Sequence, residues 1–136
     1  MNALILAAAI AMLPALSSAE TRHVEIDILH SRGERARSKR PCGDKVYEYL
    51  VKNVDALEAI VIAEDAMAIK MVGGRSMQVV RVVGTRGFLD VSDRMTLYFY
   101  VDITSSLVTI GIIQRQDAIN RTDACSERWI GRGKKR

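Results

Sequence analysis

Aromatic residues make up only 5% of this 136-residue chain: four Tyr, two Phe and one Trp. Val, Ile, Leu and Met must therefore fill its interior. Histidine is scarcer still, with His23 and His30 alone. They lie seven residues apart, an odd spacing, so on one continuous strand they face opposite sides. A two-histidine acid–base pair is thereby excluded there unless a bulge intervenes. A general base working near neutral pH would then have to be a carboxylate raised by burial. Glu64, Asp65, Asp90, Asp93 and Asp102 are available, and surface roles account for each. There is no Gly-rich phosphate loop, no metal-ligand cluster and no His-Glu-x-x-His sequence, so neither metal nor cofactor is expected.

Long apolar runs are also missing, with one exception at the start. Residues 2–16 are almost wholly apolar, broken by Pro14, and Ser17-Ser18-Ala19 follows. This is an apolar core followed by small residues, the pattern of a signal peptide cleaved after Ala19. The run is shorter than the ~20 residues that span a bilayer. Residues 1–19 thus read as a signal peptide and the chain as secreted. The remainder suffices for one domain with a modest core. Its only cysteines, Cys42 and Cys125, are expected to pair in an oxidising compartment.

Charge is unevenly spread within a formal net charge of +4. Residues 20–42 hold six basic and four acidic groups, the body is mildly acidic, and residues 128–136 hold five basic groups and no acid. A Cys42–Cys125 bridge would bring the two basic segments together. Arg37, Lys39, Arg40, Arg128 and Arg132 then form a candidate patch for RNA, an anionic membrane or an acidic protein. The plainer reading is a pair of solvated tails.

Val24, Ile26 and Ile28 alternate with charged residues, which predicts a half-buried strand. Residues 31–41 read as an exposed basic loop. Its Arg37-Ser38-Lys39-Arg40 resembles a dibasic processing site, but Pro41 directly after it hinders cleavage. Asp44 is an N-cap candidate, and Val46, Leu50, Val54, Leu57 and Val61 recur at helical spacing, predicting a helix over 45–63. Alternatively, the helix ends near Asn53 and a strand starts at Ala59. Strand signals follow: residues 68–72 run into Gly73-Gly74, a hairpin signature, and residues 76–83 are rich in Val. Residues 84–93 read as a loop. In residues 94–103, Leu97, Phe99, Val101 and Ile103 point one way, and Tyr98, Tyr100 and Asp102 the other. Residues 107–113 return as a further strand. Tyr98 and Tyr100, with Arg94 and Thr96 on the same face, could stack single-stranded bases, or form the polar face of an ordinary sheet. Asn120-Arg121-Thr122 is a glycosylation sequon.

The expected fold is α+β: one helix packed on an antiparallel sheet of four to five strands, with one disulfide. The order of parts is signal peptide, strand, Cys42-Gly43, one helix, sheet (TLYFYVDITSSLVTIGI at 96–112), then Cys125 near the end. This layout resembles the ribonuclease-like secreted effectors of powdery mildew fungi, whose scaffold is similar to fungal guanyl-specific ribonucleases. The resemblance covers roughly residues 40–130. It departs at Arg40, where that family carries an aromatic, and in the long stretch 20–40. It implies a cysteine before the helix paired with one near the C-terminus, and a ribonuclease-like scaffold without nuclease activity. It further implies binding to a host protein or RNA, delivery into host cells, and recognition by a plant immune receptor. No catalytic residue carries over, because the sheet lacks histidine. The division that follows is a signal peptide (1–19), an N-terminal strand and basic loop (20–41), one domain (42–130) and a basic tail (131–136). Two rivals stand beside this secreted, non-catalytic effector: a protease or lysozyme inhibitor of cystatin-like layout presenting the loop 84–93, and a ribonuclease that uses carboxylates and arginines alone.

Overall fold

The structure is a computed structural model that describes residues 23–64, 66–79, 81–83, 86–116 and 123–136. Residues 1–19, expected to be a signal peptide, Asp65 and the Asn120 sequon lie outside these residues. Among the described residues nine antiparallel strands form a single sheet. The first, β1, runs Val24–Ala36, and the only helix among the described residues, α1, runs Asp44–Asp55. Then come β2 (Leu57–Ile62), β3 (Met67–Met71), β4 (Ser76–Gln78), β5 (Arg81–Val83), β6 (Arg86–Asp90), β7 (Met95–Asp102), β8 (Leu107–Arg115) and β9 (Asp123–Lys135). Their order across the sheet is β4-β3-β2-β1-β9-β8-β7-β6-β5.

The expectation of an α+β, ribonuclease-like fold with four to five strands is therefore corrected: sheet dominates. Four misread segments, and the division of residues 76–83 into β4 and β5, account for the difference. The helix stops at Asp55, where the chain leaves the apolar stripe to run Leu57–Ile62 as a strand between β1 and β3. The run Ile60-Val61-Ile62 favours strand by its β-branched side chains, and this matches the alternative reading of the helix end. The supposed loop 84–93 contains β6, five residues paired with β7. The supposed basic loop 31–41 belongs up to Ala36 to β1, which pairs with β9 on both sides of an irregularity between Leu29 and Glu34. The supposed tail 131–136 is the end of β9, whose ladders to β1 and β8 place it mid-sheet. Arg136 is clasped by the carboxylates of Glu25, Asp27 and Glu58.

Strands β4 and β5 occupy opposite ends of the sheet, yet only residues 79 and 80 separate them in sequence. One short stretch thus pairs first with β3 and then with β6, and the sheet has to curl for its ends to meet. A side chain on Gly87 of β6 would strike Met67 of β3 at 2.6 Å and Val79 at 2.8 Å, which shows how close the ends come. The Gly73-Gly74 turn, with both φ values positive, makes the β3–β4 hairpin as expected.

One face of the sheet and the helix enclose the core. Leu97, Phe99, Val101, Val108, Ile110, Ile112 and Trp129 line it from β7 to β9, and α1 adds Leu50 and Val54. As the scarcity of aromatics required, aliphatic side chains and Met67 supply most of the interior. No helix among the described residues is long and apolar enough to cross a membrane.

Two links tie α1 to β9. Cys42 and Cys125 form a disulfide with Cα atoms 5.0 Å apart. Beside it, Glu127 is 1% exposed, accepts from the Gly43 N–H at 2.9 Å and bonds Arg35 at 3.0 Å. No side chain of the local sequence caps α1; the Glu127 carboxylate, 84 residues away, takes that place at its positive end. The predicted N-cap, Asp44, is instead the first helical residue and pairs with Arg35.

Replacing both cysteines by serine should lower the unfolding free energy by about 4 kcal/mol, the value for a closed loop of about this length, measured by urea denaturation against the oxidised protein. Glu127→Ala, which strands the part-buried Gly43 N–H and removes the Arg35 partner, should cost about 1–3 kcal/mol, and Glu127→Gln, which keeps an acceptor, distinctly less. Equal losses for the two Glu127 variants would show that the carboxamide oxygen cannot replace the carboxylate at the Gly43 N–H.

Candidate functional site: an aromatic and basic groove

On the sheet face opposite the core, side chains from four strands line up by register. Phe88 of β6 stands opposite Tyr98 of β7, Tyr98 opposite Gly111 of β8, and Gly111 opposite Arg128 of β9. The next row runs Arg86, Tyr100, Thr109. The missing side chain at Gly111 matters here. A Cβ there would sit 2.2 Å from the Tyr98 ring, so the phenol lies across the glycine as a floor. The Arg86 guanidinium stands 4.9 Å from the Tyr100 ring centroid, a cation–π contact.

Above this face runs the segment joining β1 to α1. Its backbone is fastened to β9: the Ser126 N–H donates to the Arg40 carbonyl at 2.8 Å, Pro41 bridges to Ser126, and the Arg128 guanidinium donates to the Arg37 carbonyl. Ser38 and Ser126 share a hydroxyl–hydroxyl bond, and the disulfide closes the end. Lys39 and Arg40 are thereby held at the rim. The result is a groove of about 610 Å³ whose lining includes Lys39, Arg40, Arg86, Tyr98, Tyr100 and Arg128. Its floor adds Phe88, Thr109 and Ile113, and Asp123, Cys125 and Ser126 complete the wall.

Five of the seven predicted contact residues thus meet in one place: Lys39, Arg40, Tyr98, Tyr100 and Arg128. Arg37 is exposed outside the groove and contributes its carbonyl. Arg132 lies further along β9, within 3.4 Å of the Ser105 carbonyl, and does not line the groove. Thr96, expected on the tyrosine face, is fully buried and donates to Asp90 at 2.6 Å, with the buried Arg115 guanidinium donating to Thr96 in turn. Arg94 is exposed at the β6–β7 turn. Arg86 and Phe88 were missed because residues 84–93 read as loop; their spacing of two within Arg86-Gly-Phe-Leu-Asp90 is the signal that would have put both on one strand face.

Electrostatically the groove is one-sided. Its lining has four cationic side chains, one carboxylate (Asp123) and no histidine. Of the two histidines, His30 donates from Nε2 to the Val54 carbonyl at the C-terminus of α1, at 3.1 Å. Burial raises the Tyr98 phenol above its ordinary value, against the opposing pull of Arg128 and Arg86. No group of three or more metal-ligating side chains occurs among the described residues. Within the candidate loop for an inhibitor, 84–93, residues 86–90 form strand β6 and offer no free loop there. No family model, curated protein or solved structure matches this chain.

Because folding raises the Tyr98 value, the unfolded chain loses that proton first as pH climbs. The stabilisation is complete below the unfolded tyrosine value of about 10 and is lost as pH rises through the folded one. Wild type should therefore lose more stability than Tyr98→Phe between about pH 9 and about pH 11, as read from urea midpoints; parallel losses would place the phenol in a solvated setting.

Proposed function

We propose that this chain is a secreted, non-catalytic recognition protein that binds an anionic component of a host, protein or RNA, in the groove between β6–β9 and the segment 37–42. One observation carries the reading. Register, a glycine floor and a disulfide-tethered segment bring four cationic side chains and two tyrosines into one concave site. Concave sites with a few convergent polar groups are where proteins hold ligands, and cations sharing a low-polarity wall focus potential on an anion.

The absence of histidine from the same lining supports binding without catalysis. Acid–base catalysis needs a group that titrates near the working pH within reach of the reacting atom. Here the groove offers cations, phenols, hydroxyls and one exposed carboxylate. Such a set can orient and neutralise an anion, and it contains no histidine. Secretion is consistent with the apolar N-terminal segment and the disulfide. The narrower reading, a ribonuclease-like effector met by a plant immune receptor, rested on a layout of four to five strands, which the nine-stranded sheet replaces.

The test is a titration of the full chain, disulfide formed, against fluorescent poly-glutamate and fluorescent single-stranded RNA, with the RNA then run on a gel. At least one polyanion should bind, the RNA should stay intact, and Lys39→Gln/Arg40→Gln/Arg86→Gln should weaken binding at least tenfold at unchanged melting temperature. Binding that survives the triple substitution, cleavage of the RNA, or no binding of either polyanion would overturn this function.

A further inference from the structure

We infer that the ligand of this groove is a single-stranded nucleic acid, held through one splayed nucleotide: its base on the Tyr98 ring and its phosphate among Lys39, Arg40, Arg86 and Arg128. This rests on the groove being the recognition site and names the class of molecule that fills it.

Three observations select a nucleotide over other anions. The first is the floor. Tyr98 lies half-buried across Gly111, where any Cβ would displace it. Rings lie across glycines elsewhere in this sheet, as Trp129 does over Gly33 and Gly131 in the core; Tyr98 differs in lining the open groove. A ring held flat at the bottom of an open groove is a stacking platform, and every base has a π-face to offer it. A peptide of acidic residues alone has carboxylates for the cations but no aromatic ring to stack on Tyr98. The second is the placing of charge around the platform. The cations reach the groove from two sides: Arg86 from β6, Arg128 from β9 across the row of Tyr98 and Gly111, and Lys39 and Arg40 from the tethered segment. A phosphate attached to a base on Tyr98 would have basic side chains on either hand. The third is size. At about 610 Å³ the site falls within the range of small-ligand pockets. It suits a nucleotide or two and not a long track.

Strandedness follows from the platform. Tyr98 can stack on a base only if that base has left its own stack, which a single strand permits and a duplex resists. The site's four cations also limit how strongly salt can act. Single strands lose affinity with a slope of about −0.7 per neutralised phosphate. If the groove alone carries binding, the slope of log K against log salt should be no steeper than about −3. A steeper value would mean that the basic surface outside the groove, such as Lys134 and Lys135 on β9, does the binding.

The experiment is fluorescence anisotropy on the full chain, disulfide formed, with four labelled probes: a pentanucleotide RNA, the same sequence as DNA, an RNA duplex and poly-glutamate. Four variants accompany it: Tyr98→Leu, Tyr98→Phe, Gly111→Ala and the triple substitution of basic residues above. The RNA or DNA single strand should bind at least tenfold more tightly than the duplex. Tyr98→Leu and Gly111→Ala should weaken single-strand binding about tenfold and leave poly-glutamate unchanged, while Tyr98→Phe keeps the stack and the affinity. The Tyr98→Phe result, with melting temperatures for all variants, separates lost stacking from lost folding. Equal binding of duplex and single strand, or indifference to Tyr98→Leu, would refute the nucleotide. Poly-glutamate bound in the groove with no single strand bound would sink this inference and leave the recognition function standing; if neither polyanion binds, both fall.

Discussion

The Glu127 carboxylate is buried where β1, the start of α1 and β9 converge, and it accepts from Arg35 and from the Gly43 N–H at once. Two residues away, Cys125 is bonded to Cys42. Together these contacts fasten the beginning of the domain to its end. Burying a carboxylate is costly unless its lone pairs are satisfied by donors held in place. Here the donors are a peptide N–H at the helix start and a guanidinium that also pairs with Asp44 and stands 4.6 Å from the Tyr47 ring centroid. Without this junction α1 would lose its cap and the segment 37–42 its anchor. Lys39 and Arg40 would then have no reason to overhang the sheet.

The groove is thus a product of three independent strands of construction. Alternation along β7 sends Leu97, Phe99 and Val101 into the core and leaves Tyr98 and Tyr100 on the other face. The register of β6, β8 and β9 against β7 sets Arg86, Gly111 and Arg128 beside those rings. The junction at Cys125 and Glu127 then lays a basic segment along one wall. Stability and the proposed recognition site share these parts: the hydrogen bonds that close the fold also fix the spacing of the cations. Preorganisation of this kind lowers the cost of ordering a binding surface when the ligand arrives.

Closure of the sheet has its own logic. A long sheet exposes backbone donors and acceptors at each end. Here the two ends are consecutive in the chain, β4 serving β3 and β5 serving β6. The curl this imposes wraps the sheet around the aliphatic core, with α1 packed against β9, β8 and β2. A chain with so few aromatic side chains covers its interior mainly by wrapping it in sheet.

Much was legible in the residues because it depends on neighbours in sequence. Period-two alternation marked β1 and β7, Gly73-Gly74 marked a hairpin, and two cysteines in an otherwise cysteine-free chain marked the disulfide. The tyrosine pair and the basic residues near the cysteines were visible as candidates for the same reason. The strand identity of residues 57–62 was legible only as an alternative to helix, and that of 86–90 and 123–135 was not legible, because the local pattern of each is ambiguous. The first continues a helical apolar stripe, the second is flanked by glycine and charge, and the third is dense in basic residues. Strand β6 pairs with its sequence neighbours β5 and β7, and β9 with the distant β1. Each becomes a strand only once ladders on its flanks satisfy its backbone. The sequence by itself therefore determined the disulfide, the facing of β7 and the helix start to within a residue. The tertiary structure alone decided that nine strands share one sheet, that Arg86 joins the tyrosines, and that Arg37 and Arg132 stand apart. Side-chain facing is set by local periodicity, whereas register and strand order are set by pairings across the whole chain.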